Sequence, residues 1–132
     1  MTVSAIQIGL DPAVVDYGSP EFARFEGLSR EKLQAANDDN IAALRDAGYD
    51  VDGCPVDLGE LAVNVVREAI TRKKYDAVLI GAGIRLISSN TELFEAIVNV
   101  VHTELPDCRF VFNKDAESTP DDIRRWYPDP MA

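Results

Sequence analysis

Four consecutive residues, Ala77-Val78-Leu79-Ile80, carry no polar side chain and end at Gly81. A run of that length, rich in β-branched residues and closed by glycine, reads as a strand buried on both faces. The run breaks at Gly81-Ala82-Gly83, turns through Ile84 to Ile87, and enters a helix near Ser88-Ser89-Asn90. Ser89 followed three residues on by Glu92 is a capping-box pattern, which predicts the helix start there. A strand, a glycine-bearing loop with one arginine and a helix N-terminus together have the local plan of an anion site in α/β proteins.

The segments on either side alternate between strand and helix patterns. Val3 to Leu10 reads as a first strand. Asp11 to Leu28 is long for a strand-to-helix connection, where about 2–6 residues are usual. Its Tyr17, Phe22 and Phe25 argue against disorder, so a packed helical turn, a lid or a subunit contact is expected. Ser29 caps a helix that runs to about Ala47 and stops at Gly48. Asn37 falls on the apolar stripe of that helix, four residues from both Leu33 and Ile41. Val51 to Asp57 is a second strand, and Pro55, which cannot donate to a ladder, puts it at a sheet edge. A helix over Gly59 to Arg72 precedes the central run, and another over Asn90 to Glu104 follows it. Arg109 to Asn113 is a fourth strand. Thr119 and Pro120 open a last helix that docks through Ile123, Trp126 and Tyr127.

This order, βαβαβαβα, predicts a single α/β domain over residues 1–132 with an open parallel four-stranded sheet and helices on both faces. Right-handed crossovers and an edge position for Pro55 favour strand order 2-1-3-4. Ligands of open α/β sheets bind where the strand order reverses, here between strands one and three. That switch point would bring Gly9, Leu10 and Asp11 opposite Gly81, Gly83 and Arg85.

Charge and composition narrow the partners. Apolar residues make up 46% of the chain, enough for a continuous core without staples. A net charge of −10 with no Lys/Arg cluster repels phosphate backbones and anionic lipid, which argues against nucleic acid and membrane surfaces. No apolar run approaches the ~18 residues of a membrane helix, and Met-Thr-Val-Ser-Ala-Ile does not read as a signal peptide. Two cysteines, Cys54 and Cys108, are too few for a disulfide framework and match no metal spacing, so a reducing cytoplasm is expected.

Several residues are candidates for chemistry. Arg85, the one charge between Asp76 and Glu92, could clamp a phosphate or carboxylate, with the amides of Ser89 and Asn90 helping; alternatively it pairs with Asp11 or Asp57. Asp11, Asp57 and Asp115 lie at or beyond strand ends, where a carboxylate could act as a base, bind magnesium or simply shape a turn. Asn37 and Asn113 are candidate orienting amides, and His102 is either an acid-base group or a solvated histidine. Gly9, Gly81 and Gly83 are candidate ligand-binding or turn glycines. Gly81-Ala82-Gly83 completes neither a dinucleotide fingerprint nor a Walker loop, so these residues name no cofactor.

Gly9-Leu10-Asp11-Pro12, Gly81 to Leu86 and Val98-Asn99-Val100-Val101-His102 resemble a set of short bacterial α/β proteins with a flavodoxin-like plan. That resemblance covers most of the chain and brings no activity with it. The plan is also similar to receiver domains, but the acidic pair after strand one and the acceptor aspartate after strand three are missing. The expected function is therefore an enzyme or binding protein for an anionic small molecule, or else a non-catalytic interaction module. Phe94 and Val98 widen the apolar arc of the 90–104 helix beyond one stripe, which predicts a homodimer unless Trp126 and Tyr127 cover them.

Overall fold

The computed structural model describes residues 1–131; Ala132, the last residue of the expected domain, lies outside them. Four strands, β1 (Ser4–Leu10), β2 (Asp50–Val56), β3 (Ala77–Ile80) and β4 (Arg109–Phe112), form one sheet in the order β2-β1-β3-β4. All three pairings are parallel. This is the expected order, with Pro55 on the edge strand opposite Gly9. The helices are α1 (Arg30–Asp46), α2 (Ala62–Ile70), the one-turn α3 (Ala82–Arg85), α4 (Thr91–Glu104) and α5 (Thr119–Trp126). Among the described residues no helix is long and apolar enough to cross a membrane.

Alternation along the strands sorts the core into two layers. Ile6, Ile8, Val78 and Ile80 pack with Val66 and Ile70 of α2 and Ile97 and Val101 of α4. Ala5, Val51, Leu79 and Val111 pack on the other face with Leu44 of α1 and Ile123 of α5. β3 lies inside the sheet with all four residues buried, as its apolar run requires. Burying one such isoleucine contributes about 1.5–3 kcal/mol, so the two layers hold the sheet firmly at its centre.

The α1 face is filled unevenly. Continuing the alternation from Ala5 puts Gln7 and Gly9 beneath α1, and from Val51 puts Gly53 there. A Cβ at Gly53 would lie 3.0 Å from Ile41 Cδ1, so α1 crosses β2 against bare backbone. Toward the start of α1 the cover thins, and within the helix only Asn40 and Leu44 are buried. Ser29 caps α1 as expected, its Oγ accepting from the Lys32 amide at 3.2 Å.

Two helix starts differ from expectation. A 3-10 turn over Ser88–Asn90 precedes α4, and the Ser89 side chain does not cap it. Instead the Ser89 amide and hydroxyl donate to Glu21 at 3.3 and 3.0 Å, a carboxylate from the 3-10 turn Pro20–Arg24. At α5 the flanking residue is Ser118, one position earlier than expected, and its Oγ accepts from the amides of Lys114 and Asp115. The wide apolar arc of α4 is met within the chain. Phe94 packs edge-on to Phe112 at 6.2 Å, and Phe94 and Val98 both rest on the α2–α4 layer. α5 lies on the opposite face, so Trp126 and Tyr127 are not the cover.

Candidate functional site

β1 and β3 end side by side, and the chain leaves them toward opposite faces, β1 to α1 and β3 to α4. Their departure opens a crevice at the carboxyl edge of the sheet, the usual ligand position in such folds. Close approach of backbone sets its floor. The Gly81 amide donates to Ile8 O at 2.8 Å, and a Cβ on Gly81 would lie 3.6 Å from Gly9 Cα.

The crevice has two lobes that share Gly9, Leu10 and Asn37. The first, of about 60 Å³, lies between the Gly81–Gly83 floor and a roof of Phe22, Phe25 and Leu28 from the long connection. The second, of about 240 Å³, runs between α1 and the β1–β2 pair and is walled by Gln7, Gly53, Gln34, Asp38 and Asp11. Between them Gly9 leaves the sheet surface bare: a Cβ there meets no atom within 4 Å. The Asp11–Leu28 connection is thus a packed helical turn that roofs the crevice, with Phe22 and Phe25 5.7 Å apart in a tilted pair.

Two residues of the walls carry side-chain amides without protein partners among the described residues. Gln7 is 9% exposed, and its Oε1 is closed to solvent and has no hydrogen-bond partner among the described residues. Asn37 is half-buried on the wall of both lobes and makes no side-chain hydrogen bond among the described residues. Neither lobe is lined by a lysine or arginine, and the charged groups at hand are the carboxylates of Asp11 and Asp38. Cys54, whose backbone borders the second lobe, turns its side chain into the α2–α4 layer, where burial pushes the thiol up to about 11 and keeps it protonated near neutral pH.

Arg85 points away from the crevice. Its Nε donates to Ile80 O at 2.9 Å and its Nη2 to the carbonyl and side-chain oxygens of Asn113, while the guanidinium stacks on the Phe112 ring at 5.0 Å. Burial lowers its pKa below the usual arginine value, and the Asp122 carboxylate acts in the opposite sense. Asn113 is buried and accepts the Ala82 amide at 2.8 Å, so it joins the end of β4 to the first turn of α3. Asn90 is also buried, donating to Gly83 O at 2.9 Å. Arg85, Asn113 and Asn90 therefore position the glycine floor.

The other expected residues are dispersed. Asp11 Oδ1 accepts the Ala13 amide at 2.9 Å and shapes the turn at the mouth of the second lobe. Asp57 and Asp115 accept the amides of Gly59 and Glu117 in similar turns. His102 is exposed near the end of α4, at the opposite edge of the sheet from the crevice. No group of three or more His, Cys, Asp or Glu among the described residues is placed to hold a metal ion. Sequence reasoning missed Gln7, although a polar residue inside a strand flanked by Ile6 and Ile8 was the signal that could have found it. No protein-family model matches the chain, and no curated protein matches it either.

Proposed function

We propose that this protein binds a small neutral molecule in the crevice between α1 and the carboxyl half of the sheet. The bare sheet surface at Gly9, open under α1 at the switch point, carries this reading. A packed domain fills such space with side chains unless something else occupies it. The roof of Phe22 and Phe25 and the unpartnered, half-buried side chain of Asn37 support an apolar ligand body with a polar group. An anionic ligand, expected from Arg85, Ser89 and Asn90, has less support. Arg85 donates to main-chain carbonyls, the Ser89 amide already meets a carboxylate, and Asp11 and Asp38 would repel an anion. Binding is favoured over catalysis because His102 lies at the other edge and the Cys54 thiol stays protonated. The free thiols of Cys54 and Cys108 support a reducing, cytoplasmic setting.

A fragment screen read by amide chemical shifts tests this. Neutral fragments are expected to move the amides of Gly9, Leu10, Asn37 and Gly81 together. Shifts that gather at another surface, or none in a broad neutral library, would contradict the reading.

Homo-association has its own observation. Leu58, Leu61 and Val65 are 52%, 68% and 44% exposed, spaced by three and four along the entry to α2. An apolar stripe left wet favours burial against a second copy. Light scattering is expected to give twice the 14.5 kDa chain mass, and Leu61→Glu to return it to the monomer. A wild-type monomer at high micromolar concentration would remove this reading.

A further inference from the structure

We propose that the segment from Ser19 to Leu28 is a hinged lid over the first lobe, and that Glu21 is its latch, holding it shut on Ser89. The coupling of the lid to a ligand rests on the crevice being a binding site; its opening does not.

Hydrogen bonding marks the segment as a separate unit. The amides of Phe22, Phe25 and Leu28 donate to the carbonyls of Ser19, Phe22 and Phe25 at 3.0, 3.0 and 3.1 Å. Ser19 Oγ accepts the Glu21 amide and caps the 3-10 turn. Each of these bonds closes within the segment, so all of them travel with it when it swings. On the entry side the Ser19 amide reaches back to Asp16 O at 3.1 Å, and Tyr17 Oη ties the preceding chain to Pro12 O at 2.7 Å. On the exit side Gly27 has a φ of 73°, the left-handed region that glycine enters freely, before Ser29 caps α1. Gly18 and Gly27 thus bracket the segment as hinge positions.

Little else holds the segment down. Its turn over Pro20–Arg24 contains no buried residue. Phe22, itself half-buried, is the one side chain of the segment that packs on the core among the described residues. Glu21 supplies the only hydrogen bonds from the segment to a distant part of the chain among the described residues. It accepts the Ser89 amide at 3.3 Å and the Ser89 hydroxyl at 3.0 Å. Ser89 lies in the turn that opens α4, and its neighbour Asn90 donates to Gly83 O, so the latch joins lid to floor. With the latch made, the Phe22 ring lies over Gly83, where an added Cβ would be 3.9 Å from Phe22 Cε1. A ligand beneath that ring gains its contact only in the shut state, so binding and closure favour each other.

Relaxation dispersion of the backbone amides reads such an opening in the microsecond-to-millisecond range. The proteins are the wild type, Glu21→Ala, Ser89→Ala and the double variant. Phe22, Gly83 and Ser89 are expected to report one common process. Glu21→Ala is expected to raise the open population about fivefold, the worth of hydrogen bonds to an exposed carboxylate. Ser89→Ala keeps the backbone donor and is expected to raise it about twofold. The double variant is expected to match Glu21→Ala, because both changes cut the same latch. A Glu21 that only shaped its own turn would leave Gly83 unmoved and would add to Ser89→Ala. Saturating benzyl alcohol, a neutral ring with one polar group, is expected to suppress the process in all four proteins. Flat profiles throughout, or an open population that the variants leave unchanged, would overturn the proposal. Benzyl alcohol seated in the crevice with the opening undiminished would overturn it too. If neutral fragments, benzyl alcohol included, miss the crevice while the variants open the lid as described, the lid stands and the binding reading falls.

Discussion

Replacing Asn113 by leucine is expected to lower stability by about 3 kcal/mol, which for a domain of this size is about 10 °C in melting temperature. Leucine keeps the approximate volume and removes every polar contact. The Ala82 amide, buried and held at 2.8 Å by Asn113 Oδ1, would then have no acceptor. Arg85 would lose one of its oxygen partners, with its guanidinium still partly buried against Phe112. An orphaned buried donor costs about 1–3 kcal/mol and a lost bond to a charged group a comparable amount, so the sum dwarfs an ordinary surface change of about 0.5 kcal/mol. Arg85→Met, which keeps the stem over the ring, is expected to cost about 2 kcal/mol. The double variant is expected to cost less than the sum, because the two residues belong to one network. Chemical denaturation of the four proteins measures all three values. Near-neutral single variants would mean that the glycine floor is held by something other than this clamp, and would return Arg85 to the role of a free cation.

The fold was legible because each element carried its own local signal. Pro55 marked the edge strand, the Ala77–Ile80 run marked the buried one, and Ser29 marked the start of α1; the structure places all three as expected. Local signals misled where a distant residue supplied the partner. Ser89 has the pattern of a helix cap, yet Glu21, 68 positions away, takes its amide and hydroxyl. Arg85 is a lone cation beside glycines in sequence, yet Asn113, 28 positions on, takes its guanidinium. No spacing rule reaches across such separations, since the crossover connections bring these residues together only after the sheet has formed. The wide arc of α4 likewise gains Phe112 from the next strand. The crevice was legible as a place, through the switch point and Gly9 and Gly81, and Asn37 was legible as an amide near it, but Gln7 was not. Gln7 passes for one residue of an ordinary strand until its neighbours are known.

The second large effect follows from Gly9 alone. A glycine inside a strand is normally a weakness, since it brings more chain entropy to folding and nothing to pack. Here its missing Cβ would touch nothing within 4 Å, so a Cβ can be added without displacing protein atoms. Gly9→Val suits the extended backbone and places two methyl groups in the shared part of both lobes. Stability is expected to stay the same or to rise by up to about 1 kcal/mol. Affinity for a crevice ligand is expected to fall at least about 100-fold, since the methyls occupy its place on the strand.

Titration of one confirmed neutral fragment into wild type and Gly9→Val, side by side, therefore reads occupancy of the crevice with the fold held constant. The account predicts saturable shifts at Leu10, Asn37 and Gly81 in the wild type and none in an equally stable Gly9→Val protein. Equal affinity in the two proteins would contradict it.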